Sequence, residues 1–192
     1  MTIPGARSSL RAMVLIACLL CCPSATVQGQ DLSQETRLKA IHLKNVLNFV
    51  QWPAEANPAN RKSFRFCVQG DHLLGIALAQ ELRTATIDDR RIEVRWAQKE
   101  SDFKGCQVLY VGALEEKRVA KVLESVKGTS VLTLGAALGF LEAGGIVQLS
   151  YEYNTVRFGV NLTAARNAGL KLDARMLGLA QRVIRDSETP GG

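Results

Sequence analysis

The chain has 192 residues, which is enough for one well-buried domain and too few for two. Hydrophobic residues make up 47% of the chain and charged residues 22%, a composition typical of a globular protein rather than a disordered one. The formal net charge is +6, but Lys and Arg are scattered along the chain and form no basic run, so we expect no nucleic-acid partner.

The first 29 residues have the pattern of a secretory signal peptide. Two arginines and no acidic residue precede an apolar run of eleven residues, 12–22, and a polar stretch of small residues follows. Val27 and Gly29 fit the small −3 and −1 positions, so we predict cleavage before Gln30. The apolar run is too short to span a bilayer as a transmembrane helix. The order of the three regions therefore predicts export. A lipobox-like segment that ends at Cys18 makes a lipoprotein the less favoured alternative.

The exported part begins with a predicted helix over Gln34–Val50. Apolar residues recur there at the spacing of an amphipathic helix, with polar residues between them. The helix is predicted to end at Trp52-Pro53, because proline cannot continue a helix. Residues 54–62 are predicted to form a polar loop.

Strands and helices alternate over the middle of the chain. Period-two alternation and compact apolar runs mark the strands, and Asp71 is placed to cap the helix that follows the first of them. The predicted strands are Phe64–Gln69, Arg91–Trp96, Gln107–Val111 and Ser130–Leu134, with a helix that includes Leu73–Leu82 and another over about Leu114–Val126.

The last third of the chain has a different pattern. Ile146–Tyr151 and Val156–Val160 are predicted to form an antiparallel hairpin, because four turn residues separate them. A short helix is predicted around Thr163–Ala168, and a final helix from Asp173 through Ile184. The expected fold is therefore α/β, a single domain with a mixed sheet flanked by helices, ending in the hairpin and the C-terminal helices. This domain is predicted to cover residues 30–186, with a flexible tail over 187–192.

The role of Cys67 distinguishes several classes of protein. A nucleophilic cysteine needs a base, and His72 is near in sequence, but no recognisable catalytic signature surrounds the pair. Only Cys67 and Cys106 lie beyond the predicted signal peptide, and with two dispersed histidines they lack metal-ligand spacing. Gly70-Asp71 lacks the glycine pattern of a phosphate-binding loop and is interpreted as a turn and helix cap. We therefore predict no catalytic, cofactor-binding or metal-binding residue.

Two interpretations of Cys67 and Cys106 are left, a disulfide and two buried free thiols. An exported chain meets an oxidising compartment, and two cysteines allow one intramolecular pairing. Cys67 lies within one apolar strand and Cys106 directly precedes another, so the sulfurs come within bonding range if those strands are neighbours. We favour the disulfide, with the free thiols as the alternative.

Six segments in order resemble one known family. They are LNFVQWP (Leu47–Pro53), FCVQGD (Phe66–Asp71), GCQVLYVG (Gly105–Gly112), VLTLG (Val131–Gly135), GFLEAGGIVQL (Gly139–Leu149) and VRFGVNLTAARNAGLKL (Val156–Leu172). This ordered set resembles the YfiR family of periplasmic proteins, from about Ala40 to Ala180.

The resemblance implies a regulator rather than an enzyme. A protein of this family binds the periplasmic sensor domain of an inner-membrane diguanylate cyclase and represses it, which controls cyclic-di-GMP and biofilm formation. An outer-membrane lipoprotein is implied as a second partner that sequesters the repressor. The resemblance also implies a disulfide at the positions that match Cys67 and Cys106. Family members can carry a second, short-range bridge in the region that matches 141–148, where this sequence has no cysteine.

The surface that would bind such a partner is predicted on the first helix. Leu38, Ile41 and Phe49 form a second apolar stripe there and Trp52 follows it, so these four are candidate partner-binding residues, with burial in the core as the alternative. A homodimer is a further candidate assembly. The alternative function is a periplasmic small-molecule-binding protein or a hydrolase, with a ligand at the strand ends near Gly70-Asp71.

Overall fold

The computed structural model describes residues 32–56, 62–112 and 116–185, all of which belong to one compact unit. The predicted signal peptide, residues 1–29, and the predicted tail, residues 187–192, lie outside the described residues. None of the helices within the described ranges is long and apolar enough to cross a membrane.

Five α-helices and ten β-strands are described. The helices are α1 (Gln34–Leu47), α2 (His72–Glu81), α3 (Glu116–Ser125), α4 (Leu162–Asn167) and α5 (Ala174–Leu179), and a short 3₁₀ helix covers Glu100–Phe103. The strands are β1 (Val50–Gln51), β2 (Ser63–Gln69), β3 (Thr86–Ile87), β4 (Arg90–Trp96), β5 (Val108–Val111), β6 (Leu132–Gly135), β7 (Val147–Glu152), β8 (Thr155–Asn161), β9 (Lys171–Leu172) and β10 (Arg182–Ile184).

Eight of the described strands form one mixed sheet, in the order β10-β8-β7-β6-β5-β2-β4-β3. The run from β7 to β4 is parallel, whereas β7–β8 and β3–β4 are antiparallel pairs and β10 lies parallel to β8. A separate antiparallel pair joins β1 to β9. The prediction of a mixed α/β sheet flanked by helices is confirmed.

Helices cover both faces of this sheet because successive strand residues point to opposite sides. On one face Phe64 and Phe66 of β2 belong to a core cluster with buried residues of α1 and α2. On the other face Cys67 and Leu109 belong to a second cluster with α3. The predicted cap of α2 is present, since the Leu74 amide donates to Asp71 Oδ1 at 3.0 Å.

The prediction that the first helix continues to Val50 is wrong. Helix α1 ends at Leu47, and Val50 and Gln51 form β1, which pairs with Leu172 and Lys171. The Asp173 amide also donates to the Phe49 carbonyl oxygen at 2.9 Å. Backbone partners from a distant part of the chain therefore replace the last turn of the helix, although the apolar spacing there is compatible with a helix.

The prediction that the final helix runs through Ile184 is also wrong. Helix α5 stops at Leu179, and Ala180 has an extended backbone with ψ of 135°. The Gln181 amide donates to the Phe158 carbonyl oxygen at 2.9 Å, and Arg182–Ile184 then pairs with β8. Without β10, the backbone groups of β8 would be unpaired at the edge of the sheet. The chain leaves the helix because residues 182–184 pair with those groups as β10.

Candidate functional site

A disulfide joins the middle of the sheet to the turn that precedes β5. Cys67 and Cys106 are bonded, with their Cα atoms 6.0 Å apart, and β2 and β5 are neighbours in the sheet. Both cysteines are buried, at 1% and 5% exposure, in the core cluster that α3 covers. Because the sulfur of Cys67 is committed to this bond, it is not the free thiolate that a cysteine nucleophile requires.

The turn ahead of Cys106 is held by one carboxylate. Asp102 Oδ2 accepts hydrogen bonds from the backbone amides of Gln98 and Lys99, at 3.0 and 3.1 Å. These amides lower the pKa of the Asp102 carboxyl below its usual value, with the Gln98 amide having the largest effect. Phe103 of the same turn is buried, and its carbonyl oxygen accepts from the Cys106 amide at 3.1 Å. The segment that precedes Cys106 in the disulfide is therefore held by hydrogen bonds and by a buried side chain.

Gln107 connects the disulfide to three other parts of the chain. Its side-chain Oε1 accepts from the Arg65 amide at 2.8 Å, and its Nε2 donates to the Ala56 carbonyl oxygen at 3.3 Å. Its own carbonyl oxygen accepts from the Leu132 amide at 2.9 Å and from Trp52 Nε1 at 3.2 Å. Gln107 is 2% exposed, so its polar atoms are satisfied within the protein.

Trp52 is one of the four predicted partner-binding residues. It contacts Phe64 of the sheet and donates a hydrogen bond to the Gln107 carbonyl oxygen. Its ring lies edge-on to Phe64, with a centroid distance of 4.9 Å and an interplanar angle of 83°. The indole is half-buried and packs against the core cluster below α1. Trp52 therefore packs on the core beside the residue that follows the bridged Cys106.

The other three predicted partner-binding residues do not share one environment. Leu38 and Phe49 are half-buried and pack against the core, whereas Ile41 is 38% exposed on α1. Phe49 alone among the four lines the apolar cleft described next. The assignment of these residues to partner binding stays a prediction.

An apolar cleft of about 610 Å³ lies between α1, the β7–β8 hairpin and α5. Its lining includes Phe49, Phe158, Met176 and Leu179, and Leu179 is 69% exposed. His42 and Arg157 also line the cleft, and no Asp or Glu of the described ranges does. Arg175 lies 5.6 Å from the Phe49 ring centroid and is paired with Asp173 at 2.8 Å. Leu179 is not among the site residues predicted from the sequence, because only the tertiary fold brings α5 and α1 to the same cleft.

A family model described as YfiR/HmsC-like matches residues 36–181, which is more than half of the chain. This chain belongs to the YfiR/HmsC-like family. The family is one of periplasmic regulators of cyclic-di-GMP signalling rather than of catalysts, and the resemblance noted from the sequence segments is confirmed. The buried disulfide is consistent with a periplasmic protein.

Several solved chains match, and one of them is similar at low identity. It is described as a conserved domain protein from Vibrio cholerae O1 biovar El Tor, with 14% sequence identity and a TM-score of 0.46. The match covers 77% of this chain and 60% of that one. This likeness is too weak to inform the function.

The turn between β6 and β7 is packed around an aromatic ring. Phe140 is fully buried between Gly135 and Gly145, and a Cβ atom on those glycines would lie 2.4 and 2.1 Å from the ring. The Gly145 amide donates to the Phe140 carbonyl oxygen at 2.8 Å. Packing of the Phe140 ring therefore holds this turn without a covalent link.

Among the described residues of this family member, no group of three or more His, Cys, Asp or Glu is arranged to hold a metal ion.

The two histidines and Tyr110 each have neighbours within the protein. His72 lies 5.7 Å from the Trp96 ring, centroid to centroid, and His42 Nδ1 lies 2.9 Å from the Leu38 carbonyl oxygen. Burial raises the pKa of the Tyr110 hydroxyl far above its usual value, and Asp71 and Glu35 raise it further. The apolar cleft is a surface feature, whereas the Gln107-centred network beside Trp52 is buried.

Proposed function

We propose that this protein is a repressor that binds the periplasmic domain of an inner-membrane diguanylate cyclase and lowers cyclic-di-GMP synthesis, and with it biofilm formation. Membership of the YfiR/HmsC-like family over residues 36–181 carries the proposal. An outer-membrane lipoprotein that competes for the same repressor would release the cyclase.

Repression of this kind requires differential binding rather than a covalent step. The protein must bind the inhibited state of the cyclase more tightly than the active state, because equal affinity for both states shifts no equilibrium. Moving a cyclase from almost fully active to almost fully inhibited takes a ratio of affinities on the order of 10⁴. A preorganised docking surface raises affinity because little conformational entropy is lost on binding, but the ratio itself must come from contacts that the inhibited state alone offers.

The apolar cleft between α1, the hairpin and α5 is the docking surface in this proposal. An apolar lining that includes Phe49 and the exposed Leu179 favours an apolar anchor on the partner. Arg157, with no carboxylate among the lining residues that the structure describes, favours an acidic residue beside that anchor. The occupant is therefore an apolar segment of the cyclase's periplasmic domain flanked by a carboxylate.

The test measures cellular cyclic-di-GMP in the native host. A deletion strain is complemented with the wild-type protein, with Leu179→Glu or with Leu138→Glu, a matched change at a leucine that is 92% exposed outside the cleft. Deletion should raise cyclic-di-GMP, and the wild-type protein and Leu138→Glu should lower it again. Leu179→Glu should fail to do so while accumulating to the same level, because a buried carboxylate opposes docking.

Two outcomes contradict different parts of the proposal. Unchanged cyclic-di-GMP on deletion, under several growth conditions, would reject the repressor function itself. Full repression by Leu179→Glu would leave the repressor function standing and reject the cleft as its docking surface.

A further inference from the structure

A second cleft lies at the carboxyl ends of β2 and β4, and it shares no lining residue with the proposed docking surface. Strand β2 leads into α2 and β5 leads toward α3, and these two helices belong to core clusters on opposite faces of the sheet. The crevice between β2 and β5 is therefore a topological switch point, where ligands of open α/β sheets bind. The cleft has a volume of about 470 Å³ and is lined by the end of β2, the loop after β4 and α3.

A buried acceptor without a partner lines this cleft. Gln69 is the last residue of β2 and is 8% exposed. Its side-chain Oε1 has no hydrogen-bond partner within the part of the chain that the structure describes. Nearly all buried polar atoms in native proteins are paired, so this oxygen calls for a donor from outside the chain. A ligand with an N–H or O–H group supplies that donor.

The charged residues around the cleft indicate which second chemical group the ligand carries. Among the lining residues that the structure describes, Lys99, Arg118 and Lys121 are positive and Glu100 is negative, and Glu100 pairs with Lys121 at 3.2 Å. An excess of positive charge at a concave site favours an anion. Arg118 in particular offers the planar fork of donors that suits a carboxylate or phosphate.

We propose that this cleft binds a small organic anion that also carries a hydroxyl, amine or amide donor. The Gln69 side-chain oxygen accepts from the donor, and Arg118 and Lys121 hold the anionic group. The site adds a ligand-binding role to the proposed repression and does not depend on it, since none of these residues lines the apolar cleft.

The test uses three six-carbon probes and the purified protein. Gluconate has a carboxylate and hydroxyl donors, hexanoate has only the carboxylate, and sorbitol has only the hydroxyls. Saturable NMR shifts of the Gln69 side-chain amide and of the backbone amides of residues 98–101 are expected with gluconate. Hexanoate and sorbitol should bind at least about ten-fold more weakly, because each lacks one of the two kinds of contact.

Variants distinguish a built site from general attraction to a basic protein. Gln69→Met has a similar volume without the acceptor and should weaken gluconate binding about ten-fold without lowering the melting temperature, because it removes an unpaired buried oxygen. Arg118→Gln should weaken binding by a similar factor. Lys127→Gln, which removes an equal charge outside this cleft, should change binding less than two-fold.

Absence of saturable gluconate binding would overturn the proposal, as would equal binding of hexanoate. Equal losses in Arg118→Gln and Lys127→Gln would reduce the effect to net charge and also overturn it. None of these measurements involves a cyclase, so a failure here leaves the proposed repression untouched.

Discussion

Trp52 donates a hydrogen bond from its indole nitrogen to the main-chain carbonyl oxygen of Gln107, 3.2 Å away and 55 residues later in the chain. Gln107 directly follows Cys106, so one peptide unit separates the disulfide from the residue that orients the indole. The segment after α1, the strand β2 and the bridge therefore form one connected structure. Substitutions in any of these three parts are expected to have non-additive effects on stability with substitutions in the other two.

Gln107→Met is expected to lower the free energy of unfolding by about 2 kcal/mol. The change keeps the volume but leaves the half-buried Arg65 amide and Ala56 carbonyl oxygen without their side-chain partners. Gln80→Met, at an exposed position of α2, is the matched control and should change the free energy by less than about 0.5 kcal/mol. Urea unfolding of the three proteins measures the difference. Equal midpoints for both variants would show that the Gln107 contacts add nothing net.

The double variant Cys67→Ser/Cys106→Ser is expected to lose about 4 kcal/mol of stability on the chain-entropy relation for a sequence separation of 39 residues. A reducing agent should destabilise the wild-type protein by a similar amount and leave the double variant unchanged. Urea unfolding with and without the reductant measures both effects. A wild-type protein that is insensitive to complete reduction would contradict this expectation.

The same double variant also tests whether the bridge supports repression. We expect it to restore repression poorly in a deletion strain even where its cellular level matches the wild type, because the Trp52 segment is anchored beside Cys106. Cellular cyclic-di-GMP is the readout. Full repression at an equal protein level would confine the role of the bridge to stability.

Gly145→Ala is expected to lower the free energy of unfolding by about 2 kcal/mol. A Cβ atom at this position would lie 2.1 Å from the ring of the buried Phe140, so the ring or the backbone must move. Gly178→Ala is the matched control, because a Cβ there has no atom within 4 Å and alanine favours the helix α5. Thermal melting should place the first variant below the wild type and the second at or above it. The reverse order would show that the Phe140 pocket is loose.

Asp173 is expected to make stability fall in strong acid. The side chain of Arg175, and then its backbone amide, donate to the carboxylate and lower its pKa from 3.8 to about 2. Because the folded pKa lies below the unfolded one, this contribution is complete above about pH 4 and is lost as the pH falls toward 2. Asp173→Asn keeps a capping side chain without the charge. Unfolding midpoints of the two proteins should converge between pH 4 and 2, and a constant difference across that range would contradict the assignment.

Local patterns in the sequence predicted the central part of the fold. The strands β2, β4 and β5 lie within a residue or two of their predicted ranges, and Asp71 caps α2 as expected. These features depend on residues close together in the chain, namely the alternation that suits a pleated strand and a carboxylate that satisfies a free amide at a helix start. The mixed α/β architecture follows from their order along the chain.

Contacts between distant residues decided what the patterns predicted wrongly or missed. Val50 and Val183 have helical apolar spacing, yet each joins a strand because its backbone partners, Leu172 and Val160, lie beside it in the folded chain. A buried glutamine cannot be told from a surface one by type, so neither Gln107 nor Gln69 was predicted as a functional residue. The sequence by itself determined the class of fold, which depends on local pattern, and its ordered segments showed the resemblance to the family, whereas the structure decided that Cys67 and Cys106 are bonded. Tertiary structure alone decided the apolar cleft and the cleft at the strand ends, because each is formed by segments that meet only when the sheet is assembled.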